Sequence, residues 1–222
     1  MSRYLLLLTI CLAIASCGTK TSSVPEGNIG VESDIYLVPI GDVDEKYLPA
    51  LIPKLERRFT TSVYLALDKR IPIPDYTYDT EKEQYAAMYI LTEMTKKIKV
   101  PEDAKILGVC NVDLFQPESD LPFIFGQAVR GGNTALISML RMNPRSYLGG
   151  RPNDELLIGR MSKEAVHELA HIFGLDNVLD PECVMFLPTD LKELDRKTDN
   201  FCLPSQKEFR EIMQKKMKNK KE

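Results

Sequence analysis

One segment constrains the fold more than any other: the run from Asn153 to Phe173, closed by Gly174. It reads as a single long helix, and glycine suits the left-handed residue that commonly ends one. Ile158, Met161, Ala165, Leu169 and Ile172 recur at helical spacing and form an apolar stripe. A stripe of that kind must be laid on a core. His167, Glu168 and His171 lie off the stripe, on a face free to line a cleft. The partner layer is legible upstream. Ala104–Phe115, AKILGVCNVDLF, is a near-continuous apolar run, as a parallel strand buried on both faces would be.

The remaining elements fit an α/β fold. Ser33–Gly41 reads as a strand, Asp44–Phe59 as a helix and Ser62–Asp68 as a second strand. Within Asp44–Phe59, Pro49 falls in the first turns and Pro53 is a candidate kink. Thr80–Ile98 reads as a long helix with Thr80 as its N-cap. Two further strands, Pro122–Val129 and Asn133–Met142, flank a hairpin-type turn at RGGN. Crossover helices imply a parallel sheet, and the tight turn implies an antiparallel edge. After Gly174 the chain is mostly irregular, until a final helix capped by Ser205. No internal repeat is visible. The 222 residues are read as one domain of 33–222 behind a leader, and a monomer is expected.

That leader is residues 1–16. An apolar run from Leu5 to Ala15, after a single arginine, is shorter than the roughly 20 residues a membrane-spanning helix needs. It fits the core of a signal peptide. The run ends in IASC, Ile14 to Cys17, which resembles the lipobox of bacterial lipoproteins. The resemblance implies cleavage before Cys17, lipid on its thiol, and anchoring in the cell envelope, with 17–32 as a flexible linker. Disulfides persist in such a compartment. The net charge of −3 comes with no basic stripe, which argues against nucleic acid as a partner. The lysine-rich C-terminus reads as a solvated helix end.

His167 and His171 are the only histidines in the chain. Four residues apart on a helix, they share one face about 6 Å apart along its axis and can converge on one zinc ion. Glu168 is rotated about 100° from His167. It can stand beside the metal as a general base without ligating it.

HELAHIFGLDN followed by CVM resembles the metzincin zinc peptidases, whose pattern is His-Glu-x-x-His-x-x-Gly-x-x-His with a later methionine turn. More narrowly it resembles the archaemetzincins, in which Cys-x-Met follows at the spacing of Cys183-Val184-Met185. GVCNVDLF and FIFGQA look like that family's strands before the active-site helix. The resemblance implies a metzincin-like α/β (α+β) fold: a twisted, mostly parallel sheet with an antiparallel edge strand, and a small irregular C-terminal lobe. It implies zinc as cofactor, Glu168 as catalytic base, peptide or protein as substrate, and Met185 as a support beneath the metal. The edge strand that aligns a peptide would fall at Phe123–Val129.

The chain departs from the family at two places. The third histidine falls at Asn177, whose carbonyl is a poor zinc donor beside imidazole. Asp176 and Asp180 are the other candidates, and a site that holds zinc only transiently or not at all is the alternative. The family's four structural cysteines read here as Val178, Cys183, Cys202 and Ser205, so a second, structural zinc is expected to be absent. Cys183 and Cys202 are expected to form a disulfide, contributing ~3 kcal/mol in the chain-entropy model. Two functions remain: a membrane-anchored zinc metallopeptidase, or a metzincin-like module that binds peptides with weak catalysis or none.

Overall fold

A computed structural model describes residues 31, 33–117, 119–145 and 149–219. The leader, Cys17 and nearly all of the linker lie outside the described residues.

The core is a five-stranded sheet in the spatial order Val63–Leu65, Ile35–Pro39, Lys105–Cys110, Thr134–Ser138, Gly126–Ala128. Strands β1 (Ile35–Pro39), β2 (Val63–Leu65), β5 (Lys105–Cys110) and β8 (Thr134–Ser138) are mutually parallel. Strand β7 (Gly126–Ala128) closes one edge antiparallel to β8, as the RGGN turn predicts. Helices α1 (Ile52–Phe59) and α3 (Asp154–Phe173) cover one face, packing on Leu37, Leu107, Val109 and Ile137. Helix α2 (Ala87–Lys97) covers the other, on Val38, Ile106 and Leu136. This two-sided cover is what lets β5 be apolar from Ile106 to Cys110. Helices α4 (Leu191–Arg196) and α5 (Leu203–Asn219) belong to the C-terminal lobe.

Several boundaries differ from the sequence reading. The helix expected over Asp44–Phe59 divides into a 3-10 segment, Glu45–Ala50, and α1. Pro53 has no N–H to donate and therefore sits in the first turn of the new helix. The helix expected from Thr80 starts only at Ala87. Before it, β3 (Tyr78–Asp79) and β4 (Gln84–Ala86) form a hairpin. Asp79, not Thr80, organises that turn, accepting from the Glu81 and Lys82 N–H groups at 2.9 and 3.0 Å. The run Ala104–Phe115 breaks after Cys110, and Leu114–Phe115 becomes β6 of a small sheet ordered β3-β4-β6. The final helix starts at Leu203, two residues before the expected cap.

The C-terminal lobe is fastened to α3 by aromatic rings. Phe59 stands 5.6 Å from Phe173, 6.2 Å from Phe209 and 6.4 Å from Phe201, centroid to centroid. All four are buried. Phe59→Ala should lower the unfolding free energy by about 3–5 kcal/mol, measured by urea denaturation, because the cavity opens where α1, α3 and the lobe meet.

Candidate metal centre

Helix α3 carries the centre, and both of its ends are built. Asn153 caps the start, its side chain accepting from the Leu156 N–H at 3.0 Å. Gly174, with φ of 114°, closes the end and accommodates the left-handed turn that a β-carbon would strain. That turn folds Leu175 back so that its carbonyl oxygen accepts from His171 Nδ1 at 2.7 Å. His167 Nδ1 donates in the same way to the Val184 carbonyl at 2.8 Å. A carbonyl can only accept, so each ring carries its proton on Nδ1 and presents a bare lone pair on Nε2.

The two Nε2 atoms lie 3.1 Å apart, with the rings nearly perpendicular at 88°. Two bare lone pairs facing each other at this distance repel unless a cation lies between them. Bonds of about 2.0–2.1 Å to one tetrahedral ion would set two donor nitrogens roughly 3.3–3.4 Å apart, so the pair, at 3.1 Å, is a few tenths of an ångström closer than an ideal zinc site and would open slightly on binding. Burial holds His167 well below the ordinary imidazole range, and the neighbouring Lys197 and His171 push the same way. Burial also lowers His171, against the Leu175 carbonyl that accepts from its ring. Both rings are therefore neutral and ready to ligate at neutral pH.

The methionine turn does its part through the backbone. Met185 is buried, but it is Val184 that holds His167. The turn is fixed by Val184 N–H to Asn200 O at 2.8 Å and Val178 N–H to Met185 O at 3.0 Å.

Of the three candidates for a third donor, Asn177 is the one whose side chain acts on the His171 ring, favouring its protonated form. Asp176 forms an ion pair with Arg130 at the surface. Asp180 is exposed, and its carboxylate accepts from the Glu182 N–H at 3.0 Å. Among the described residues, no group of three or more histidine, cysteine, aspartate or glutamate side chains is placed to hold a metal.

Glu168 is buried against the edge strand. A β-carbon on Gly126 would stand 2.8 Å from Glu168 Cγ and 2.9 Å from the Leu136 carbonyl oxygen, so the glycine makes the space that the carboxylate fills. Burial raises the Glu168 pKa well above the carboxylate range, and the adjacent Glu164 raises it further; Lys197 opposes both.

Glu164 and Lys197 are absent from the sequence reading. Lys197 is fully buried, its Nζ 3.1 Å from the Phe186 carbonyl, 3.4 Å from His167 Nδ1 and 3.5 Å from Glu164 Oε2. Since Nδ1 already donates to Val184, its contact with the ammonium brings donor to donor and keeps the imidazole neutral. Glu164 had a legible signal, one helical turn before Glu168 on the same face. Lys197 had none, because the fold alone brings α4's end beneath α3.

The expected disulfide is not formed. Cys183 and Cys202 are free thiols, and both meet Ser205 Oγ, at 3.6 and 3.2 Å. The Cys202 N–H donates to Cys183 Sγ at 3.1 Å. These polar contacts hold the cluster together without a covalent bond. Cys110 is also free and buried, its pKa pushed up to about 12 by burial.

Known proteins resemble this chain over most of its length. The model of peptidase family M54 matches residues 54–211. The chain is 36% identical over 171 residues to the archaemetzincin of Pyrococcus furiosus, covering 76% of this chain and 88% of that protein. The crystal structure of archaemetzincin from Methanopyrus kandleri superposes with a TM-score of 0.68 at 28% identity, covering 86% of this chain and 99% of that one. A zinc-dependent peptidase from Methanocorpusculum labreanum gives 0.68 at 27% identity, covering 79% and 99%.

The buried pair behind the centre yields a stability test. Lys197→Met should cost about 3–5 kcal/mol in urea denaturation, because it strands buried carboxylates. Adding Glu164→Leu should restore most of the loss. If the double variant is as unstable as the single, the two side chains are not coupled.

Proposed function

Because this chain belongs to peptidase family M54, the archaemetzincins, we propose that it is a zinc-dependent metallopeptidase with one catalytic ion held by His167, His171 and Asn177. The observation that carries the reading is the pair of Nε2 lone pairs 3.1 Å apart, each fixed by a carbonyl at the opposite nitrogen. Bound zinc supplies a Lewis acid that polarises the scissile carbonyl and lowers the pKa of water.

The chain's own groups do the rest. Glu168 takes a proton from the attacking water and returns it to the leaving nitrogen, as a general base and then an acid. Gly126 and Ala128 on the edge strand offer backbone pairing to an extended peptide. Asn177 donates a neutral carbonyl oxygen, weaker than imidazole. That substitution is what favours the second reading, a peptide-binding module whose metal site has decayed. We also propose, on the sequence alone, that the enzyme is an exported lipoprotein anchored through Cys17. No described helix is long and apolar enough to cross a membrane.

Elemental analysis of the purified chain decides between the readings. The peptidase should carry about one zinc per chain, and His171→Ala should lose it. Glu168→Gln should keep the zinc while hydrolysis of a mixed peptide library falls on the order of 10²–10⁴-fold. Asn177→Ala should weaken zinc affinity about tenfold or more. A wild-type chain that binds no zinc would be the module.

A further inference from the structure

The edge beside Glu168 is open at one end and closed by the protein's own backbone at the other. Strand β7 pairs with β8 through Gly126–Ile137, Gln127–Leu136 and Ala128–Ala135. Flanking bonds run from Ser138 N–H to Phe125 O at 2.8 Å and from Val129 N–H to Thr134 O at 3.0 Å. Antiparallel alternation therefore turns the N–H and C=O groups of Gly126 and Ala128 away from β8, toward the free edge. At Ile124 that edge ends. The Ile124 N–H donates to the Leu114 carbonyl at 2.9 Å, so β6 stands where an added strand would continue. Strand β4 pairs with β6 on its other side and holds it there. At the opposite end the chain simply turns: a β-carbon on Gly131 would meet nothing within 4 Å.

The base fixes which way a substrate runs. A carboxylate that passes a proton to the leaving nitrogen must sit on the C-terminal side of the scissile bond. Glu168 lies against Gly126, while His171, further along the helix, has its carbonyl bonded by the Gly131 N–H at 3.3 Å. The C-terminal side of the substrate thus points toward Ile124. This is the antiparallel orientation on β7, which is also the more stable ladder.

We propose that the cleft takes only about two residues beyond the scissile bond, the span of roughly 7 Å from Gly126 to Ile124 at ~3.3 Å per residue, and leaves the N-terminal side unrestricted. The substrate class is then peptides cut close to a free C-terminus, and the products are short C-terminal fragments. The inference rests on the peptidase reading above.

The test uses the zinc-loaded full chain and N-acetylated peptides sharing one randomised core. One set is extended by six Gly/Ser residues at the N-terminus, another at the C-terminus, and products are read by mass spectrometry. N-terminal extension should leave cleavage within the core unchanged, C-terminal extension should suppress it about tenfold, the worth of one or two lost backbone hydrogen bonds, and released C-terminal fragments should be one or two residues long. Equal core cleavage in both sets, with longer C-terminal fragments, would overturn the proposal. If no peptide is cut, the peptidase reading fails, and amide hydrogen exchange of Gly126 and Ala128 judges the cleft instead. Slower exchange with unextended than with C-terminally extended peptides supports the closed end; equal exchange with both overturns it.

Discussion

Two hydrogen bonds hold the centre in place: His167 Nδ1 to Val184 O and His171 Nδ1 to Leu175 O. Without them either ring could take the other tautomer or rotate, and the Nε2 lone pairs would not meet. Each bond depends on a piece of chain next to the helix. Gly174 must adopt a positive φ for Leu175 to fold back, and the Cys183–Phe186 turn must be pinned for Val184 to face α3. The centre is therefore a property of the helix plus two loops, which places it at the junction of the sheet layer and the C-terminal lobe. The aromatic cluster around Phe59 secures the same junction.

The charges behind the rings are arranged for the same end. Two buried carboxylates, Glu164 and Glu168, lie on one face of α3 with a single buried ammonium, Lys197. Burial first, and then the adjacent Glu164, bias Glu168 toward its protonated form, and Lys197 opposes both. A divalent ion at Nε2 would supply the missing positive charge and favour the carboxylate that catalysis needs. Lys197 therefore serves the charge balance of the base and the neutrality of His167 at once.

Much of this was legible from residue types. The stripe of α3, its glycine stop and the His-Glu-x-x-His face all follow from helical periodicity, and the hairpin at RGGN fixes the antiparallel edge. What escaped depends on competition between local and distant partners. Thr80 looked like a cap because the polar-to-apolar transition follows it, yet Asp79 can hydrogen-bond two amides at once and makes a turn instead. The apolar run through Phe115 looked continuous because burial in either sheet selects the same residues. Glu164 was within reach of the helical pattern. Lys197 was not, since lysine in a polar segment normally signals solvent.

The asparagine at the third position can now be weighed by charge as well as by donor strength. An aspartate would bind zinc more tightly, but it would add a third anion to a pocket where one lysine already faces two. Asparagine, like histidine, adds no charge, so the balance among Glu164, Glu168 and Lys197 is the one a three-histidine site would have. With Asn177 as the proposed third donor, the substitution would bear on metal affinity and leave the environment of Glu168 intact. The neighbouring carboxylate is kept out of the pocket by its ion pair with Arg130. A buried lysine and a buried carboxylate in register with two neutral imidazoles cost stability to bury, and costly clusters of this kind concentrate at functional sites.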